Sequence, residues 1–270
     1  VVVTFDPHPI RVLSPDNAPR LLTSHRHKMA LLAAYGIEDV LVIRFDADFC
    51  HLSGADFVKK LHAASASLQT ICVGSDWTFG HKRSGTVDLL RSMGSEMGFS
   101  VVGVPTVKVG GATASSTAIR EAVERGDFQI AAAMLGRPYT VLGTVVEGRK
   151  LGREIGFPTA NLKVHNEQLP PSGVYAVTVT QQGGGYHSDH EIPGVANLGK
   201  RPTVEEGSDV RRQLEVHLFE FDEEIYGEDI EIRFVRFLRG EQKFDGIDTL
   251  KAQIKRDAEA ARQAILRLGP

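Results

Sequence analysis

The stretch Gly143 to Asn161, GTVVEGRKLGREIGFPTAN, concentrates residue types that handle phosphates. Gly148, Gly152 and Gly156 are interleaved with Arg149, Lys150 and Arg153, directly after an apolar β-branched run. Glycines let successive backbone N–H groups turn toward one anion, and the basic side chains add charge to that cradle. The Walker A pattern G-x-x-x-x-G-K-[ST] is absent. Thr159 and Asn161 then offer oxygen donors, which suit Mg²⁺, an ion that keeps several waters and shares substrate phosphates. A glycine-rich barrel hairpin is the plainer alternative; the concentration of features favours the phosphate loop. Further on, RQLEVHL alternates so that Leu214, Val216 and Leu218 share one face, with Glu215 and His217 on the other. A carboxylate on a rigid strand can take a proton from a hydroxyl nucleophile. Without context, a solvent-facing strand residue is the commoner case.

Three motifs in the first half also point to phosphates. TFDPHP holds His8 between Pro7 and Pro9 after an apolar run, and ligands of open α/β sheets bind outside the carboxyl ends of strands. A surface histidine in a proline-stiffened loop is the competing reading. VGSDWTFGHKRSG, residues 73–85, carries Asp76 and the basic pair Lys82 and Arg83, which can meet anionic oxygens or simply sit in a solvated turn. Ser115, Ser116 and Thr117 open a helical stretch, with Arg120 in its first turn. Free N–H groups there favour a phosphate, although ordinary capping by Ser or Thr explains the local sequence as well.

The elements that must position these residues change character along the chain. Val1–Phe5, Val40–Phe45, Gln69–Val73 and Ser100–Val104 read as short buried strands. Helical spacing runs over about Ser24–Tyr35, Gly54–His62, Thr86–Met97, Thr117–Arg125 and Asp127–Leu135, with Gly36 and Gly98 as C-terminal caps. Such alternation predicts a parallel sheet covered on both faces. From Tyr139 onward, period-2 strands follow without helices between them: Tyr139–Glu147, Gly173–Thr180, Gly194–Leu198, Leu214–Glu220 and Asp229–Phe237. Gly183–Gly185 marks a hairpin-type loop, and one helix, Ile247–Leu268, closes the chain. This half predicts a small antiparallel barrel. The expected division is 1–136 and 137–270.

Composition bounds the reading. The chain has 270 residues, a net charge of −3 and 42% hydrophobic residues, which excludes disorder and a polybasic nucleic-acid binder. No apolar run is long enough to span a bilayer and no secretory signal opens the chain, so no nucleic-acid or membrane partner is expected and a cytoplasmic location is. Cys50 and Cys72 lack metal-ligand spacing and read as buried thiols. Because Val1 already belongs to a core strand, an N-terminal segment is expected to be missing. Oligomeric state is not legible.

Taken together, TFDPHP, the 73–85 loop and SSTAIR resemble the FMN adenylyltransferase module of bacterial bifunctional riboflavin kinase/FAD synthetases. The resemblance implies a Rossmann-like nucleotidyltransferase fold, with His8, Pro9, Asp76, Arg83, Ser115, Ser116, Thr117 and Arg120 at the adenylyltransferase site. Two departures stand out. The family's upstream HxGH segment is absent, which implies impaired adenylyl transfer, and Trp77 stands where the family has Phe. In the second half, GRxxGFPTAN, PSGVYA, NLGKRPT, LEVHLFEF with IYG, and LRGEQKF resemble a riboflavin kinase domain over its whole length. That resemblance implies ATP and Mg²⁺ as cofactors and riboflavin and FMN as substrate and product. Glu215 is then the general base on the riboflavin 5′-hydroxyl, and Thr159 and Asn161 lie at Mg²⁺ and the ATP phosphates. Gly148, Arg149, Gly152, Arg153 and Gly156 lie over the nucleotide, while Arg239, Glu241 and Phe244 help close the flavin site. A flavin- or nucleotide-binding sensor that no longer catalyses is the alternative from another class.

Overall fold

A computed structural model describes residues 1–65, 67–148, 151–181, 191–200 and 212–267. Arg149 and the triple glycine at 183–185 lie outside the described residues. In chain order the elements begin with β1 (Val2–Asp6), α1 (Pro9–Leu13), α2 (His25–Ala34), β2 (Val40–Arg44), α3 (Gly54–Ala64), β3 (Thr70–Gly74), α4 (Val87–Met97) and β4 (Ser100–Val104). The short strands β5 (Lys108–Val109) and β6 (Ala112–Thr113) precede α5 (Ser116–Arg125) and α6 (Phe128–Leu135). Then come β7 (Thr140–Val146), α7 (Leu151–Glu154), β8 (Ala160–Val164), β9 (Gly173–Gln181), β10 (Ile192–Lys200), β11 (Arg212–Leu218), β12 (Asp229–Arg239) and α8 (Ile247–Leu266). These fold into two compact units: Val1–Pro19 with Ile37–Ala114, and Arg20–Gly36 with Ser115–Pro270.

In the first unit the four longer strands pair in parallel, as their apolar character predicts: β1 with β2, Val2 opposite Val40, and β3 with β4, Thr70 opposite Ser100, while the short β5 and β6 pair antiparallel. Helix α4 starts at the Thr86 cap and stops at Gly98, whose left-handed φ of 84° a side chain would resist. It buries Leu90 and Met93 with Val58 of α3, Phe79 and Phe99. These are two separate two-stranded sheets, where one parallel sheet covered on both faces was expected, and β3–β4 is covered on one face only. Period-2 alternation turns Ile71 and Val73 to this core and Cys72 away from it, so Cys72 is exposed and Val102 and Val104 are nearly half exposed. Cys50 is only half-buried, so the expectation of two buried thiols fails for both.

The second unit is built on a closed antiparallel barrel in the order β10-β11-β8-β7-β12-β9, with β9 and β10 pairing to close it. Alternation fills its interior: Val141 and Val145, Tyr175, Val177 and Val179, Leu214, Val216 and Leu218, and Ile230, Ile232 and Phe234 all point inward. Strand β9 is buried on both faces, because Val174 and Ala176 lie under Ala258, Ala261 and Ala264 of α8. Helices α5 and α6 contribute Ile119, Ala122, Val123 and Ala131 to the barrel cluster, and His27 of α2 is wholly buried in the same unit. The packing unit is therefore wider than the stretch 137–270. Strand β8 was not expected; the chain leaves the glycine-rich loop and re-enters the sheet at Ala160.

Candidate active sites

The barrel brings two of the expected residues face to face. Antiparallel pairing of β8 with β11 sets Asn161 directly opposite Glu215, and β10 sets Asn197 opposite Glu215 on its other side. Leu214, Val216 and Leu218 are buried inward, so Glu215 stands on the outer face, as the alternation predicts. Asn161 is 8% exposed and Glu215 is half-buried. Between them sits Gln213: its Nε2 donates to Asn161 Oδ1 at 2.7 Å and to Glu215 Oε1 at 3.0 Å. Gln213 was not among the expected site residues. Its place two residues before Glu215, on the same strand face, is the signal that could have found it.

The glycines of the loop are required by close approach. A Cβ on Gly148 would lie 2.0 Å from Asn161 Nδ2, and one on Gly152 would lie 2.3 Å from the Phe157 carbonyl oxygen and 3.1 Å from Thr159 Oγ1. The loop folds back on itself, with Phe157 N–H donating to the Gly152 carbonyl at 2.7 Å. Gly156 takes φ +85°, open to glycine and strained for other residues. His217 Nδ1 lies 2.8 Å from the Pro158 carbonyl oxygen and pins the start of the PTAN segment to β11. Arg153 is exposed at the loop surface.

Of the three residues expected to close the flavin site, Arg239 is committed elsewhere. Its guanidinium grips Asp257 of α8, which is 6% exposed. Two register shifts in the β12–β9 pairing, the second between Phe237 and Arg239, turn the strand end at this point. Glu241 Oε1 lies 2.7 Å from where a Cβ of Gly199 would be, so its carboxylate rests against β10 near Asn197. The Phe244 ring centroid is 5.8 Å from the Arg239 guanidinium carbon.

The expected adenylyltransferase residues divide between the units. In the first, His8 caps α1, its Nδ1 accepting from Ile10 N–H at 3.3 Å, and Pro9 occupies the first helical position. The same unit holds a cavity of about 340 Å³ lined by Phe5, Leu13, Phe45, Phe49 and Phe79, with Lys82 and Arg83 on its wall. Lys82 and Arg83 hold φ of 53° and 58°, a left-handed pair uncommon outside glycine and often found at binding loops. Trp77 stacks on Phe79 at 4.3 Å, which keeps an aromatic wall where the motif substitutes Trp for Phe. Asp76 is exposed and accepts from Thr106 Oγ1 at 3.4 Å. In the second unit Ser115 caps α5, accepting from Ala118 N–H at 3.2 Å, with Ser116 and Thr117 exposed in the first turn. Arg120 Nε donates to the Arg20 carbonyl at 2.7 Å, and burial holds its pKa below the usual arginine value.

Family models of known proteins match the two halves of the chain. The riboflavin kinase family model matches residues 135–265, and the FAD synthetase model matches residues 1–118. A bifunctional riboflavin kinase/FMN adenylyltransferase of Escherichia coli K12 is 40% identical over 263 residues, covering 97% of this chain and 82% of the relative. Its counterpart in Haemophilus influenzae is 38% identical over 261 residues, with 97% and 82% covered. A crystal structure described as a macrolide-efflux protein from Streptococcus pneumoniae aligns with a TM-score of 0.78 at 30% identity, covering 97% of this chain and 82% of that one. Among the described residues here, no helix is long and apolar enough to cross a membrane.

Proposed function

Because the chain belongs to the bifunctional riboflavin kinase/FMN adenylyltransferase family, we propose an assignment of its two reactions to the residues described above. In the kinase reaction the riboflavin 5′-hydroxyl oxygen attacks the γ-phosphorus of ATP. The bond from that phosphorus to the β-phosphate oxygen breaks, and FMN and ADP result. Glu215 accepts the hydroxyl proton. Phosphoryl transfer of this kind depends chiefly on positioning and charge stabilisation. The loop of Gly148, Gly152 and Gly156 directs backbone N–H groups at the phosphates, with Arg149 and Arg153 adding positive charge.

Asn161 Oδ1 and Thr159 Oγ1 are neutral oxygen donors, which fit Mg²⁺ in company with substrate phosphates. Among the described residues no cluster of three or more His, Cys, Asp or Glu side chains offers a rival metal cage. Bound there, Mg²⁺ would neutralise phosphate charge. Arg239, Glu241 and Phe244 shape the flavin side of the site, Arg239 by holding the segment that carries the other two.

For FMN adenylylation we assign the aromatic cavity of the first unit to the flat flavin ring, with Lys82 and Arg83 meeting phosphate at its wall, and we assign His8, Pro9 and Asp76 to the same reaction. Ser115, Ser116, Thr117 and Arg120 supply hydroxyl, N–H and guanidinium groups for the nucleotide. No nucleic acid enters either reaction, and riboflavin, FMN and ATP are small molecules met in water, in keeping with a cytoplasmic setting.

The observation that carries the kinase reading is the Asn161–Glu215 pairing joined by Gln213. A non-catalytic sensor would have no use for an oriented carboxylate there. The test is Glu215→Ala with riboflavin, ATP and Mg²⁺, resolving FMN from FAD. Turnover should fall by about 10²–10⁴-fold with ATP affinity unchanged; undiminished FMN formation removes Glu215 from the mechanism.

A further inference from the structure

We infer that Gln213 is a positioning residue that holds Glu215 and Asn161 in a single working geometry; the inference rests on the kinase reading above. Gln213 and Glu215 are two residues apart on β11 and therefore share a face, and Asn161 meets that face from β8. A primary amide carries two N–H donors. Here Nε2 serves two acceptors, Asn161 Oδ1 at 2.7 Å and Glu215 Oε1 at 3.0 Å. Both acceptors are electron-rich oxygens on directly opposed residues, where cross-strand Cβ atoms lie about 4.5–5.5 Å apart. Without a shared donor their dipole and charge repel, and the link that couples the two side chains is lost.

Two consequences for the chemistry follow. Anchoring Glu215 Oε1 restrains the carboxylate, and so narrows the directions from which its lone pairs can receive the hydroxyl proton. Fixing Asn161 Oδ1 settles which way the amide faces: the oxygen points to Gln213 and Nδ2 lies against Gly148. A carbonyl oxygen has a second lone pair, so Oδ1 remains able to face a cation. Gln213 thus ties the proton acceptor to the phosphate side of the site through one group. Its carboxamide is polar and half-buried at the foot of this arrangement, not part of the apolar barrel interior.

The test uses the full chain with Gln213→Met, which keeps length and volume but donates nothing, and Gln213→Glu, which keeps the shape and replaces the donor with a third acceptor. Riboflavin phosphorylation is measured against riboflavin, ATP and Mg²⁺. Gln213→Met should lower kcat about 10- to 100-fold, the range typical of lost supporting contacts, and raise the Mg²⁺ concentration for half-maximal rate. Its KM for riboflavin should stay within about threefold of the parent value, a split that a merely structural residue would not produce. Gln213→Glu should lose more. In a Glu215→Ala background, Gln213→Met should cause a smaller further loss in kcat than in the parent, because one of the two groups it positions is gone, while the raised Mg²⁺ requirement, which comes through Asn161, should persist. If both Gln213 variants keep the parent kcat while Glu215→Ala is inactive, the positioning role is wrong and the kinase assignment stands. Full turnover by Glu215→Ala overturns the assignment itself and the positioning role with it. Should Gln213→Met fail to give a native circular dichroism spectrum, Gln213→Glu decides by the same criteria.

Discussion

Arg239 and Asp257 form a two-pronged ion pair that joins the end of β12 to α8. Arg239 Nη2 donates to Asp257 Oδ2 at 2.7 Å and Nε to Oδ1 at 3.0 Å, and Gln253 Nε2 adds a third donor to Oδ1 at 2.8 Å. Planar, double hydrogen bonding of this type is a property of arginine that lysine does not reproduce. Asp257→Ala should destabilise the protein by about 2–4 kcal/mol, because it strands a largely buried guanidinium. It should also weaken riboflavin binding, since Glu241 and Phe244 follow Arg239 directly. Urea unfolding and flavin fluorescence titration measure the two effects; a stability loss with unchanged riboflavin affinity separates Arg239 from the flavin site.

Gly148 is a second point of leverage. Its Cβ position falls 2.0 Å from Asn161 Nδ2, so Gly148→Ala must displace the amide of Asn161 or the loop itself. The expected outcome is a loss of kcat/KM for ATP of about tenfold or more, corresponding to about 1.4 kcal/mol, with a melting temperature close to the parent's. Parent-like kinetics would show that Asn161 can move without consequence.

Helix α2 is fastened to the barrel by buried polar groups. His27 Nε2 lies 3.1 Å from Glu231 Oε1, and Asn166 Nδ2 lies 3.4 Å from its Nδ1 and donates to the Leu22 carbonyl at 2.6 Å. Next to them Arg26 pairs with Asp229 at 2.6 Å. His27→Ala should destabilise by about 2–4 kcal/mol through a cavity and newly unsatisfied partners. Denaturant titration checks this; a change below about 0.5 kcal/mol, the level of an ordinary surface substitution, would contradict it.

Burial of tyrosine and histidine side chains shapes stability against pH, with Tyr139 and Tyr175 both raised at the alkaline end and His165 lowered at the acid end. Burial pushes the Tyr175 phenol up to about 12, where its hydroxyl donates to the Pro171 carbonyl at 2.5 Å. The raised folded-state value favours the neutral phenol, so this contribution is intact below the unfolded value near 10 and is lost as pH rises from 10 to 12. Burial lowers the His165 pKa against a smaller opposing pull from Asp229, which favours the neutral ring. That contribution is intact above about pH 6.5 and declines as pH falls below it. Tyr175→Phe should make the alkaline limb of a stability–pH profile shallower, with Tyr139 supplying the remainder, and leave the acid limb unchanged. An unaltered alkaline limb would assign it to other groups.

Much of this was legible in the sequence, for reasons that differ by element. The parallel strands of the first half announce themselves as apolar runs between helical segments, and the outward turn of Glu215 follows from simple alternation. Strand β8 was hidden because PTANLKV begins at a proline and carries polar residues on its outer face, which weakens the apolar signal. The brace between Arg239 and Asp257 spans a strand and a helix that no local pattern connects. The docking of α2, α5 and α6 with the barrel depends on which surface each apolar stripe covers, and periodicity reveals only that a stripe exists. The exposure of Cys72 has the same origin: a β-branched run shows a strand, not how many of its faces are covered.

The chain passes from one packing unit to the other three times, after Pro19, Gly36 and Ala114. This interleaving limits how the protein can be recombined. A chimera that exchanged residues 1–136 for those of a relative would carry α2, α5 and α6 along with the exchanged part. It would then present foreign side chains at the positions of His27, Ile119, Val123 and Ala131 to a resident barrel. The two activities sit in successive stretches of the chain, yet their inheritance is linked at the level of packing. Substitutions in α2, α5 and α6 are therefore constrained by the barrel that follows them.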